Sequence, residues 1–243
     1  MKAWLRYVAT TVALLALVIA AGCTASEPQT AAPPAESQST SQTPTASVET
    51  TPLPLKAAKP VIYLYPQKTC EVLVGLRVDG TITHADPPLG SEGAWRVIAD
   101  PSGTLTDAAS GRVYPYLFWE ADVVNRFEMP DGFVVAGPDT RAFLGRRLVE
   151  LGLNAAESAQ FIEYWASRME DNAYNLVRFE GPAYEQAAAL DVSPEPDTRI
   201  RVFMLFHKLD APVAIQPQLL PRPATRQGFV LVEWGGAEFP STP

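Results

Sequence analysis

Two glutamates in this 243-residue chain are placed where a carboxyl group could work on a chemical bond. Glu120 follows Tyr116-Leu117-Phe118-Trp119, and Glu233 follows Phe229-Val230-Leu231-Val232. If both segments are strands, alternation puts Glu120 on the face of Tyr116 and Phe118 and Glu233 on the face of Phe229 and Leu231. A carboxylate among apolar side chains loses hydration, which raises its pKa toward general-acid use. Two such groups across a cleft are the machinery of most glycoside hydrolases. Trp119 and Trp234, their sequence neighbours, are candidate sugar-stacking platforms. A plainer alternative leaves both glutamates at strand ends, exposed or paired with Arg199 or Arg201.

Other clusters are weaker. Glu170, Asp171, Asn172 and Asn175 bring side-chain oxygens together at a density that can bind Ca²⁺, although such residues after a helix more often cap it and turn the chain. Arg201 and His207 share a strand face with Phe203 and Leu205. There His207 is a candidate general base, or simply a hydrogen-bonded side chain near a strand end. The chain has no Gly-x-Ser-x-Gly, His-Glu-x-x-His, Cys-x-x-Cys or Gly-x-x-x-x-Gly-Lys. With His84, His207 and one available cysteine it has too few ligands for the usual zinc sets. No metal and no cofactor is therefore expected.

The elements that must position these residues follow from periodicity. Pro60–Pro66 is a proline-framed apolar run, expected to be a buried strand. Strands are also expected near 71–78, 95–99, 113–119, 132–136, 175–179, 199–209 and 229–234. Between them Phe143, Leu144, Leu148 and Leu151 recur at helical spacing, and Gly152 supplies the stop. Asn154 with Glu157 matches a capping box, and Phe161, Ile162, Trp165 and Met169 continue a second helix. Strands, a helical hairpin and strands again predict an α+β domain built on a mainly antiparallel sheet or sandwich. Pro217, Pro221 and Pro223 suggest a loop covering one sheet edge.

The start of the chain reads as an address. Lys2 and Arg6 precede an uncharged apolar stretch from Val8 to Ala21, which is short for a membrane-spanning helix and has the form of a secretory signal. Ala20-Ala21-Gly22-Cys23 resembles the lipobox of bacterial lipoproteins, whose cysteine is diacylated, with Ala20 in place of the usual leucine. Residues 1–22 are thus expected to be a signal peptide and Cys23 the lipidation site, anchoring the protein to the cell membrane on its outer side. Residues 23–56, rich in Ser, Thr, Pro and Ala, are expected to form a disordered tether, because they cannot bury enough apolar area to order themselves. Such a coil spans roughly 30 Å. Residues 57–243 are expected to form one domain. Of the chain's two cysteines the anchor uses one, so Cys70 is expected to be buried.

The first 56 residues hold Glu27, Glu36, Glu49, Lys2, Arg6 and Lys56, so the net charge of −8 belongs to the domain. That balance excludes nucleic acid as a partner.

Lys59-Pro60-Val61-Ile62-Tyr63-Leu64-Tyr65-Pro66 resembles the opening of a family of extracytoplasmic domains found in secreted and lipid-anchored proteins. Tyr116–Glu120, Tyr164-Trp165 with Met169-Glu170 and Asn172, and Glu233–Gly236 resemble later blocks, so that the likeness covers residues 57–236. The family has no established activity, and the resemblance implies a domain boundary and nothing chemical. The leading expectation is a surface module that binds an envelope glycan or protein. An envelope glycan hydrolase using Glu120 and Glu233, and a structural lipoprotein without a ligand, are the alternatives.

Overall fold

The computed structural model describes residues 54–240. The expected signal peptide, Cys23 and all but the last three residues of the expected tether lie outside the described residues. Those three are a correction. Strand β1 (Pro54–Tyr65) begins ahead of the expected boundary, with Pro54–Ala57 paired to Val124–Ala121 and Leu55 only 2% exposed.

The fold is α+β, in three layers. One sheet has eight strands in the order β12-β8-β9-β11-β13-β1-β7-β3, where β3 is Gly80–Asp86, β7 Leu117–Val124, β8 Asp131–Ala136, β9 Tyr174–Glu180, β11 Thr198–Leu209, β12 Gln216–Pro217 and β13 Val230–Glu238. A second has five, in the order β10-β2-β4-β5-β6, where β2 is Cys70–Val78, β4 Ala94–Ala99, β5 Leu105–Asp107, β6 Val113–Tyr114 and β10 Ala188–Ser193. Pairing is antiparallel except for β11 with β13 and β12 with β8.

Alternation sorts the large sheet's side chains into two cores. Ile62, Leu64, Leu117, Trp119, Phe203, Leu205 and Leu231 face the small sheet, against Val72, Val74, Leu76, Trp95 and Val97. Val61, Tyr63, Val177, Val202, Met204, Val232 and Trp234 face the helical hairpin formed by α1 (Thr140–Glu150) and α2 (Ala155–Met169). The hairpin has the expected signals. Asn154 and Glu157 close a reciprocal capping box, and Gly152 turns the chain at φ +93°, where an L side chain is strained. A short α3 (Pro182–Ala187) links β9 to β10. The proline-rich segment covers the β8 edge, and the Gln218 amide continues it by pairing with both backbone groups of Phe179.

One irregularity matters for function. The register of β1 slips by one residue between Ala58 and Val61 against both β13 and β7. The extra residue reverses the alternation, so Leu55 and Ala57 face the small sheet before the slip and Ile62 and Leu64 after it. Lys59 lies inside this bulge at φ +57°, the one non-glycine residue with positive φ among the described residues.

Candidate functional site

The expected carboxylate pair does not form. Each glutamate keeps its predicted strand companions, but those companions face opposite sides of the sheet: Phe229 and Leu231 line the sandwich core, while Tyr116 and Phe118 pack toward the helices. Glu233 is fully buried, accepting from Arg201 Nε at 2.6 Å and from Trp119 Nε1 at 3.2 Å. Arg201 Nη2 also donates to the Ala188 carbonyl at 2.6 Å, tying β11 to the small sheet, and the guanidinium lies over the Tyr184 ring at 4.7 Å. Burial opposes the charge on Arg201, but Glu233 outweighs it and holds its pKa above the ordinary arginine value. Burial, reinforced by Glu233, pushes the Tyr184 phenol well up. This is a sealed internal ion pair with no route to a substrate. Glu120 is half-buried and pairs with Lys56 at 3.5 Å.

Trp119 and Trp234 are corrected too. Both are core residues, 0% and 1% exposed, and neither is an open stacking platform. His207 Nδ1 is 3.0 Å from the Phe239 carbonyl near the strand end. The polar cluster after α2 caps and turns the chain. Asn175 donates to the Met169 carbonyl and accepts from Asn172, and Glu170 accepts two bonds from Arg141. No metal-binding group of three ligands occurs among the described residues. Cys70 points toward the sandwich core but sits at the start of β2, where the sheet's end leaves it half-buried, not buried as expected.

The sequence blocks instead converge on Lys59. Lys59, thrown out of β1 by the bulge, extends across the faces of Phe118 at 4.6 Å, Tyr116 at 5.2 Å and Tyr164 at 6.0 Å, and its Nζ is 3.4 Å from the Tyr116 hydroxyl. Phe118 comes from β7, Tyr116 from the bend just before it, and Tyr164 from α2. The next residue explains the Trp-Gly-Gly of β13. A Cβ on Gly235 would lie 2.9 Å from Pro60 Cα, and one on Gly236 would lie 2.5 Å from the Met204 carbonyl oxygen and 2.8 Å from the Trp165 ring. Two glycines therefore let Pro60 and Trp165 close onto β13. Tyr63, one turn of the alternation further, donates to Gln160 of α2 at 2.8 Å.

A cleft of about 630 Å³ opens here, lined by Lys59, Gln160, Glu163, Tyr164, Arg168 and Trp234 among others. Arg168 stacks on the Tyr164 ring at 3.6 Å and donates to the Tyr164 carbonyl. Burial raises the Tyr164 phenol, Arg168 opposes that, and Glu120 adds to it. Trp234 Nε1 is buried without a hydrogen-bond partner. Among the described residues no carboxylate pairs with Lys59 or Arg168. Glu120 is taken by Lys56, and Glu163 lies toward Arg141 at 3.9 Å. Such a cage offers a cation and aromatic faces that can hold and orient a ligand. In the sequence its signal was a lysine set before a proline at the head of an apolar strand.

A 65-residue stretch of the chain is 42% identical to a Butyrivibrio fibrisolvens protein described as an uncharacterised protein in the bglA 3′ region. The match covers 26% of this chain and 66% of that protein. No profile of a known family matches the chain. No solved structure matches it.

Proposed function

We propose that this protein is a lipid-anchored module on the outer side of the cell membrane that holds an envelope glycan in the Lys59 cleft. The anchor is read from Ala20–Cys23. The observation that carries the ligand seat is Lys59 itself, a residue held in a disfavoured backbone conformation with its ammonium among three rings and, among the described residues, no counter-ion. Strain of that kind clusters at ligand clamps. The open cleft's volume of about 630 Å³ falls within the range of small-ligand pockets, and its lining offers the Tyr164 ring with Lys59, Gln160, Glu163 and Arg168 as polar groups. A protein-docking face would need a contiguous apolar patch. The exposed large apolar residues Ile98, Val113, Val149, Val213 and Leu219 are instead scattered over separate elements and loops. With Glu120 and Glu233 on opposite sides of the sheet, the carboxylate-pair hydrolase lacks its geometric basis.

The test is co-sedimentation of the full chain with insoluble envelope polysaccharide. Tyr116→Ala with Tyr164→Ala should abolish retention while circular dichroism stays unchanged. Undiminished retention would remove the cleft as the seat, and no retention of the parent chain would favour the structural lipoprotein. Separately, Cys23→Ser should move the protein from the membrane to the soluble fraction, and continued membrane retention would remove the anchor.

A further inference from the structure

We infer that the glycan held in the Lys59 cleft is an acidic one, with an anionic substituent seated against Lys59 Nζ and Arg168; this rests on the glycan-binding function proposed above. An ammonium has three N–H donors, and the single polar contact of Lys59 Nζ among the described residues is the long one to the Tyr116 hydroxyl. The rings around it attract its charge without neutralising it. Arg168 is in a similar state. Its Nη1 donates to the Tyr164 carbonyl, its plane lies on the Tyr164 ring, and its remaining N–H groups have no partner among the described residues. Both cations share that ring, so they flank one opening.

The nearby carboxylates point to other partners. Glu120 goes to Lys56, and Glu163, with an 84% exposed side chain, goes toward Arg141. The cleft is therefore a local excess of positive charge on a domain whose net charge is −8. In such a field an anion is repelled from most of the surface and held where cations are unpaired. A neutral sugar can accept hydrogen bonds from both cations but leaves their charge uncompensated, whereas a carboxylate or phosphate accepts from both and neutralises them.

The experiment is binding of the full chain in detergent to immobilised oligosaccharides of three kinds: neutral hexose oligomers, hexuronate oligomers and phosphorylated hexose oligomers. Retention should be confined to the acidic kinds and should weaken as NaCl is raised. It should fall about tenfold or more with Lys59→Met, the loss expected for one charge-assisted hydrogen bond. Arg168 is exposed on α2, so Arg168→Gln should weaken retention without disturbing the core, even if Lys59→Met proves hard to fold. The hexuronate and phosphate arms identify which anion is seated. Neutral oligomers retained as well as acidic ones, or unchanged retention in Arg168→Gln and Lys59→Met, would overturn the acidic-ligand inference and leave the glycan seat standing. Retention of no oligosaccharide would overturn both.

Discussion

Replacing Glu233 with glutamine should cost this protein more stability than almost any other single-atom exchange in it. The substitution keeps shape and leaves an oxygen to accept from Trp119 Nε1, but it removes the charge facing Arg201, whose side chain is 7% exposed. An arginine cannot shed its proton at neutral pH, so the variant must bury an uncompensated charge. Breaking one partner of such a pair costs about 3–5 kcal/mol. For a domain of this size that lowers the melting temperature by roughly 6–20 °C. Urea denaturation followed by circular dichroism would give the number.

The decisive comparison adds Arg201→Met to Glu233→Gln. The second change removes the stranded charge and leaves the Ala188 carbonyl without its donor, a neutral loss of about 1–3 kcal/mol. The double variant should therefore be more stable than Glu233→Gln alone. If Arg201→Met instead costs as much in the Glu233→Gln background as in the parent chain, the two groups are not coupled, and the internal ion pair is not what ties β11 to β13 and the small sheet.

Lys59 should invert the usual ranking of alanine and glycine. Lys59→Gly relieves the positive φ and should be more stable than Lys59→Ala by about 1 kcal/mol, with both losing ligand; the opposite order in chemical denaturation would show that the bulge is unstrained. Burial raises the phenols of Tyr63, Tyr65 and Tyr184 above the ordinary tyrosine range. A folded-state pKa above the unfolded one contributes stability that is complete below about pH 10 and lost as pH rises past it. Tyrosinate absorbance at 295 nm should therefore rise in two phases, the second coinciding with unfolding, and a single phase near pH 10 would contradict their burial. Cys70, half-buried at the start of β2, should react with maleimide in the native protein, but more slowly than in urea; equal rates would place the thiol in open solvent.

The fold was legible where the pattern was strong. Pro60–Tyr65 alternates between two apolar faces, and Asn154 with Glu157 announces α2, so a buried strand and a helical hairpin followed directly. β3 was missed because Thr81, Thr83, His84 and Asp86 face outward at the sheet's end and leave no apolar rhythm. β10 was missed because Ala188-Ala189-Leu190 favours no strand by composition and becomes one only by pairing with β2. The expected strand at 113–119 is two strands in different sheets, divided at Pro115. The candidate site failed for a related reason. Alternation assigns a side chain to a face of its own strand, but which layer covers that face depends on sheet order and on the bulge in β1, and both are tertiary facts. The Lys59-Pro60 pair marked the head of the apolar run, but no propensity marks a lysine for positive φ, so neither the bulge nor the rings around it could be located before folding.

How the described part of the protein treats its cations supports placing function at Lys59. Arg201 is sealed with Glu233, and Arg226 closes onto the buried Glu157 at the start of α2, so each buried or half-buried guanidinium there has a carboxylate and reads as structure. Lys59 is half-buried as well, yet among the described residues it is met by three rings and one phenol hydroxyl and by no carboxylate, in a backbone conformation that costs energy to keep. A purely structural role at the bulge would be served by glycine, which takes the positive φ without strain. What glycine cannot do is present a positive charge to the opening beside Tyr164. A cation desolvated on its flanks and open in front is weakly bound to its own protein and strongly available to an incoming anion. The strain and the lack of a counter-ion among the described residues thus both support the proposed seat for an anionic ligand at Lys59.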